Sequence, residues 1–237
     1  MRIFSIECSA TAASVAISDD NKLLGEFFTN TGLTHSQTLL PMVQNLLKCS
    51  NIEFDSIDAF AIAAGPGSFT GVRIGIAAIK GLAFPNDKPC ISVSSLEATA
   101  YNLLGKECIV CSVMDARCNQ VYTATFKCGK EIERITQDDA IMIDELLKNL
   151  KNYKLPIVFV GDGAELCYNN LNGKIDNISI APVNLRYQRA SSVSYCAYKK
   201  IEAHGSQSMV SADEILPIYL RVPQAERELK KRMDNKQ

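Results

Sequence analysis

Hydrophobic and polar positions alternate along the first thirty residues in the two-residue period of strands. Arg2–Glu7 reads as a strand, Ala13–Ser18 as a second with Val15 and Ile17 on one face, and Lys22–Phe28 as a third after the breaker Asp19-Asp20-Asn21. The period then lengthens to that of a helix. Leu39, Leu40, Val43, Leu46 and Leu47 share a face, Thr34 and Gln37 have capping-box spacing, and Pro41 is expected to kink the helix or delay its start. A buried-type strand follows at Asp58–Ala63, then a glycine-rich loop, a helix from about Thr70 to Ala83, a strand at Cys90–Val93, and a helix capped by Ser94 and Glu97.

From Glu107 the order begins again. Strands are predicted at Glu107–Met114, Gln120–Phe126 and, more weakly, Ile132–Ile135. A helix over Asp139–Leu150 follows, then a strand at Pro156–Val160, the loop Gly161-Asp162-Gly163, a short helix, a strand at Ile178–Ile180 and a last helix near Ser191–Ala203. Each half reads βββαβα without a residue-level repeat, which predicts two α/β layers with mixed sheets facing each other across a cleft. The boundary falls between 1–102 and 103–211, with 212–237 returning to the first half.

Composition narrows the functional classes. Of 237 residues 47% are hydrophobic and 22% charged, and the net charge is −1, so no basic stripe for gripping a nucleic-acid backbone is expected. No apolar run is long enough to span a bilayer, and the first residues lack a signal-peptide pattern. Nine scattered cysteines, an odd number, read as reduced core thiols of a cytoplasmic protein. Cys108 and Cys111 have C-x-x-C spacing, but on a strand they point to opposite faces and are expected to be core thiols rather than a redox or zinc pair.

The run Gly65-Pro-Gly-Ser-Phe-Thr-Gly71-Val-Arg73-Ile-Gly75 is the most informative. The amides of Gly65 and Gly67 with the hydroxyls of Ser68 and Thr70 form a candidate anion or nucleotide loop at a helix N-terminus. The run fails both the phosphate-loop pattern, lacking its lysine, and the dinucleotide pattern, with Thr70 at the third glycine. Gly71, Gly75 and Ala78 make a smooth strip, which implies close approach by another helix of this chain or of a second protein, since helical glycine costs about 1 kcal/mol relative to alanine. Catalytic and metal signatures are absent: His35 and His204 are the only histidines and neither lies in a recognisable motif. Asp115 and Arg117 line a cleft or pair in a turn; Glu7 ends the first strand; and the tail from Arg221 to Lys236 reads as a solvated charged face or a modest basic patch.

The ordered set of GPGSFTGVRIG with Lys80-Gly-Leu-Ala83, His35-Ser36 before Leu39-Leu40-Pro41, Val93-Ser-Ser-Leu-Glu-Ala98, Asp115-Ala-Arg117 with Val121-Tyr122, Gly161-Asp-Gly-Ala164 and Pro217-Ile-Tyr-Leu-Arg221 resembles the TsaB/YeaZ family over nearly the whole chain. The resemblance implies an ASKHA (actin/hexokinase/Hsp70-like) fold of two RNase H-like subdomains. It also implies a part in N6-threonylcarbamoylation of the adenosine 3′ of the anticodon in tRNAs reading codons that start with A. The family's catalytic paralogue, TsaD, binds metal through two histidines of a V-N-H-M-E-x-H segment. The matching stretch here is Val93–Thr99, with Ser95 and Thr99 in place of the histidines. Hydroxyls do not substitute for imidazoles on a tightly bound transition metal, so the chain is expected to be non-catalytic and to hold no metal.

The resemblance further implies docking onto TsaD through His35, Leu39, Leu40 and Val43 of one helix and Thr70, Gly71, Arg73, Ile74, Gly75 and Ala78 of the other. The ATPase TsaE joins the assembly, tRNA is met only through the complex, and the isolated chain self-pairs. Gly75→Leu is then expected to block assembly and leave the monomer folded. No tightly bound cofactor is implied, with ATP or ADP at the partner interface left open. Family members often carry Asp-Thr-Ser at the first turn, and Glu7-Cys8-Ser9 departs from it, which weighs against nucleotide in this chain's own cleft. The alternative from another class is a stand-alone ASKHA phosphotransferase using Glu7 and the glycine loop.

Overall fold

A computed structural model describes residues 1–221. The first half contains β1 (Arg2–Glu7), β2 (Ala13–Asp19), β3 (Lys22–Thr29), α1 (His35–Ser50), β4 (Ala59–Ala63), α2 (Phe69–Ala83), β5 (Cys90–Val93) and α3 (Ser95–Ala100). The second contains β6 (Cys108–Asp115), β7 (Gln120–Cys128), β8 (Ile132–Arg134), β9 (Asp139–Met142), α4 (Ile143–Leu150), β10 (Ile157–Val160), α5 (Ala164–Leu171), β11 (Ile178–Ile180), α6 (Val183–Arg186) and α7 (Ala190–His204).

The first sheet runs β3-β2-β1-β4-β5 and the second β8-β7-β6-β10-β11, so the two halves share one strand order, and β9 adds to β7. In each, an antiparallel hairpin (Glu7 opposite Ser14, Asp115 opposite Val121) leads into parallel strands (Ile3 beside Ala59, Ile109 beside Ile157). The duplication of element order expected from the sequence is therefore a duplication of topology. The central parallel strand β4 is buried throughout, as a strand covered on both faces must be.

Two local expectations change. Asp139–Met142 pairs with β7 as a strand, and the helix begins only at Ile143. The alternation Ala140, Ile141, Met142 carries this strand, with only Ile141 buried. The Thr34 hydroxyl caps nothing: it accepts from Ser36 Oγ while the Thr34 carbonyl takes the amides of Gln37 and Thr38. Pro41 lies within α1 on its exposed side, and the helix continues through it. By contrast, the Ser94 hydroxyl does accept from the Glu97 amide at 3.1 Å.

The helices do not follow the division at residue 102. α1 and α2 cover one face of the first sheet, where Leu39, Val43, Leu46, Val72, Ile76 and Ile79 meet Phe4, Ile6, Val15, Phe60 and Ile62. The other face is covered by α7, whose Val193, Cys196 and Ala197 pack on Ile3, Ala59, Ala61 and Ile91. Meanwhile α3 sends Leu96 and Ala100 into the core of the second sheet with Val110, Ala124 and Phe126. The grouping of the last helix with 103–211 is thus corrected, because its apolar stripe is complementary to the first sheet. Its N-terminus is fixed there as well: Ser14 Oγ accepts from the Ala190 amide, and Glu26 of β3 accepts from Ser191 N, Ser191 Oγ and the Arg189 guanidinium. After α7, Ala212 and Ile215 join the first core, while residues 222–237, including most of the charged tail, lie outside the described residues. Among the described residues no helix is long and apolar enough to cross a membrane.

All nine cysteines are free, seven of them buried. Cys108 and Cys111 lie on opposite faces of β6, in different cores, and burial pushes their thiols up to about 11 and about 12. They are core residues, as their spacing on a strand implied.

Candidate functional site

The glycine loop is built to let α2 press against the turn between β1 and β2. A side chain at Gly71 would run into the carbonyl of Cys8, and one at Gly75 into Cys8 Sγ, with Ile62 Cδ1 only 2.9 Å away. Gly67 faces the carbonyl of Ser9, which accepts the Ser68 amide at 2.7 Å. Ser68 caps α2, its hydroxyl accepting from the Gly71 amide. The amides of Ser68 and Gly71 at the start of α2 are therefore already engaged. The close approach that the glycine strip demanded is made inside this chain, by the turn at Cys8, by Ile62 of β4 and, at Gly71, also by His35 at the start of α1.

This corrects part of the expected interface. Leu39, Val43, Gly71 and Gly75 are buried in the chain's own core and are not available to a partner. Leu40, Thr70 and Arg73 are exposed, and Ile74 and Ala78 are partly buried. His35 bonds through Nε2 to the Ala10 carbonyl at 2.8 Å, which ties α1 to the same turn.

Between the halves lies a cleft of about 580 Å³. The first turn (Ser9–Thr11), Gly67, Ser68 and Thr70 line one side; Asp115, Arg117, Tyr122 and Asp162 line the other. Of the candidate loop, Gly65 is not among the lining residues; its positive φ serves instead to pass beneath Ile218. The segment after Ile215 crosses the cleft's edge. Ile218 N donates to the Ala64 carbonyl at 2.7 Å, and the Arg221 guanidinium donates to the Ala116 carbonyl. Tyr219 stacks on Phe69 with centroids 4.3 Å apart and accepts from Arg73 Nε at 2.6 Å. Nothing in the spacing of Phe69, Arg73 and Tyr219 foretold that cluster, because 146 residues separate Arg73 from Tyr219.

Behind the cleft floor is a buried polar seam. Glu7 is 1% exposed; its Oε1 accepts from Ser9 N and Ser9 Oγ, both at 2.6 Å, and its Oε2 has no partner. Burial pushes this carboxyl up to about 7; the Ser9 bonds pull it down, and Asp162 raises it again. Asp162 is itself pushed up to about 6, chiefly by burial, and accepts from Gln188 Nε2 at 2.9 Å. Ser95 and Thr99 are fully buried on α3, Thr99 donating to the Ser95 carbonyl at 2.7 Å. Among the described residues no three His, Cys, Asp or Glu side chains are grouped to hold a metal ion.

Two halves of identical strand order closing on a cleft define a protein of the ASKHA (actin/hexokinase/Hsp70-like) fold. Residues 29–229 match the family model of TsaD, tRNA N6-adenosine threonylcarbamoyltransferase. The chain is similar to the tRNA threonylcarbamoyladenosine biosynthesis protein TsaB of Haemophilus influenzae, with 30% identity over 93% of this chain and 94% of that one. It is also similar to the TsaB of Bacillus subtilis, with 28% identity over 95% and 96%. Among solved structures it superposes on YeaZ from Pseudomonas aeruginosa with a TM-score of 0.75 and 25% identity, covering 92% of this chain and 99% of that one. The chain belongs to the TsaB/YeaZ family of tRNA threonylcarbamoyladenosine biosynthesis proteins.

Proposed function

We propose that this chain is a non-catalytic scaffold or activator subunit that works with TsaD and TsaE in threonylcarbamoylation of the adenosine beside the anticodon. The observation that carries the reading is the state of Ser95 and Thr99. They stand where the catalytic paralogue has metal-binding histidines, and both are buried hydroxyl side chains of a packed helix. The chain's contribution is then to hold and orient its partner. Docking uses the outward side of α1 and α2, with Leu40, Thr70 and Arg73 exposed and Ile74 and Ala78 at its margin. The same surface serves self-pairing when the chain is alone, ATP or ADP belongs to the partner interface, tRNA is met through the complex, and the assembly works in the cytoplasm.

The double variant Leu40→Asp, Arg73→Glu tests this reading. It is expected to lose co-elution with TsaD on size exclusion, by a tenfold or greater rise in Kd, with only a small fall in melting temperature, because both side chains are on the surface and Arg73 gives up only its exposed contacts with Tyr219 and Phe69. Unchanged co-elution overturns the docking surface, and unchanged tRNA modification when the chain is omitted overturns the role. The rival phosphotransferase draws on the three arginines around the cleft, Arg73, Arg117 and Arg221. It loses ground because the Glu7 carboxylate is sealed behind Ser9 and because Ser68 N and Gly71 N are taken. Calorimetry with ATP and magnesium separates the two, turnover by the isolated chain favouring the rival.

A further inference from the structure

The cleft has one wall from each half: residues 9–11 and the start of α2 on one side, the β6–β7 turn and Asp162 on the other. Among the described residues no hydrogen bond or ion pair joins these walls directly. Their polar groups are used at home. Ser9 O takes the Ser68 amide within the first wall, and Asp115 takes the Arg117 amide at 2.7 Å within the second. Where the walls do meet, the contact is apolar, with Ala10 in the same core group as Met114, Ala116 and Tyr122. Such packing has no preferred direction, so by itself it does not fix how far apart the rims stand.

The polar link is made by the segment after Ile215. Ile215 sits in the first core, and the Ser211–Glu214 capping box fixes the chain just before it. Ile218 then donates its amide to Ala64 O at 2.7 Å, passing where Gly65 has no side chain to block it. Tyr219 stacks on Phe69 of α2, and the Arg73 guanidinium lies 5.5 Å from both ring centroids while donating to the Tyr219 hydroxyl. The next two residues change sides. Leu220 packs against the core of the second sheet, and the Arg221 guanidinium donates to the Ala116 carbonyl, 105 residues away at the base of the β6–β7 turn.

We propose that residues 218–221 are a clasp that sets the opening of the cleft: Tyr219 grips α2, while Leu220 and Arg221 grip the β6–β7 turn. The inference is independent of the docking role. Elsewhere the halves are joined without the clasp. Glu97 accepts from Arg134 at 2.7 Å, and Ser94 donates to Asp138 at 2.5 Å, which fastens the start of α3 to the second half. Release of the clasp therefore opens the cleft rather than parting the halves. Its grip is made near the surface, with Ile218 41% and Tyr219 40% exposed. Segments with few buried contacts let go at lower cost than the sheets they join.

The two exposed cysteines supply a ruler, since Cys49 lies near the end of α1 and Cys118 in the turn whose base Arg221 holds. With spin labels on both in the full chain, the wild type is expected to give a narrow distance distribution. The double variant Tyr219→Ala, Arg221→Ala is expected to give a longer or broader one. The amides of Ala116 and Gln120, which close the turn, should exchange about tenfold faster in that variant while those of β4 are unchanged. Should the double variant fail to fold, Arg221→Ala alone leaves the Tyr219 stack in place and is expected to move both readouts the same way by a smaller amount. Distances and turn exchange that stay at wild-type values overturn the proposal. So does exchange that quickens equally across both sheets, which would make the segment ordinary packing.

Discussion

The two hairpin turns at the cleft occupy equivalent places in the two halves, yet they are handled differently. In both, glycines after the fourth core strand let a helix come close to the end of the first strand. Gly67 and Gly71 do so against Ser9 and Cys8; Gly161 and Gly163 do so against Val113 and Met114. The first turn is then clamped: Cys8, Ser9, Ala10 and Ala12 are buried, and His35 bonds to Ala10. In the second turn Arg117, Cys118 and Asn119 are exposed and all three have positive φ. One topology thus yields a rigid wall on one side of the cleft and a projecting, strained finger on the other.

The clamped side gives the largest expected effect. Gly75→Leu should destabilise the monomer by about 3 kcal/mol or more, since overpacking a filled core forces the backbone to move. The side chain would meet Cys8 Sγ and Ile62. Urea unfolding of the isolated chain measures this, and a variant that stays as stable as wild type but loses its partner would restore the glycine strip to the interface. Gly163→Ala sharpens the contrast. Its new methyl would sit about 3.1 Å from the backbone of Met114 and Asp115, which is tight but not overlapping, so a loss nearer 1 kcal/mol is expected.

The exchange of helices between halves ranks next. Glu26 accepts four hydrogen bonds from the start of α7, although it lies on β3 of the other half. Glu26→Gln keeps the shape and removes the charge, and should cost about 1–2 kcal/mol through the lost helix-terminus and guanidinium interactions. Hydrogen exchange should quicken at the first turn of α7 more than elsewhere. A uniform change across both halves would mean that α7 is not anchored chiefly by its N-terminus.

Much of this was legible in the sequence, and the illegible part has a common cause. Short apolar runs such as Ile3–Glu7 and Cys108–Val113, bounded by turn residues, mark strands that are buried at every position, and the repeated order of elements carried the two-layer architecture. The hydroxyls of Ser95 and Thr99 take on meaning only through the resemblance, which implies imidazoles at those places in the paralogue. Long-range partnership left no local mark. The glycine strip declared that something approaches closely but not what, and Cys8 answered from 63 residues away. The crossing of α3 and α7 was equally hidden, since an apolar stripe does not name the sheet it covers. Asp139–Met142 was misread because a four-residue strand running directly into a helix shares its hydrophobic period over too few positions to separate the two.

The projecting turn gives the smallest effect and the most pointed test of the comparison. L-residues in the left-handed region cost roughly 1–2 kcal/mol each, and glycine escapes that cost at the expense of greater freedom in the unfolded chain. Cys118, with φ of 55° and an exposed thiol, makes no contact that would be missed. Cys118→Gly should therefore stabilise the chain by about 0.5–1 kcal/mol, read as a small rise in melting temperature. Ala12→Gly in the clamped turn should do the opposite, since Ala12 is buried and has no positive φ to relieve. If Cys118→Gly is neutral in the isolated chain but weakens the complex, the strain is held for a partner that grips the finger. If it stabilises both alike, the strain is a property of the turn alone and the second side of the cleft is simply the less constrained one.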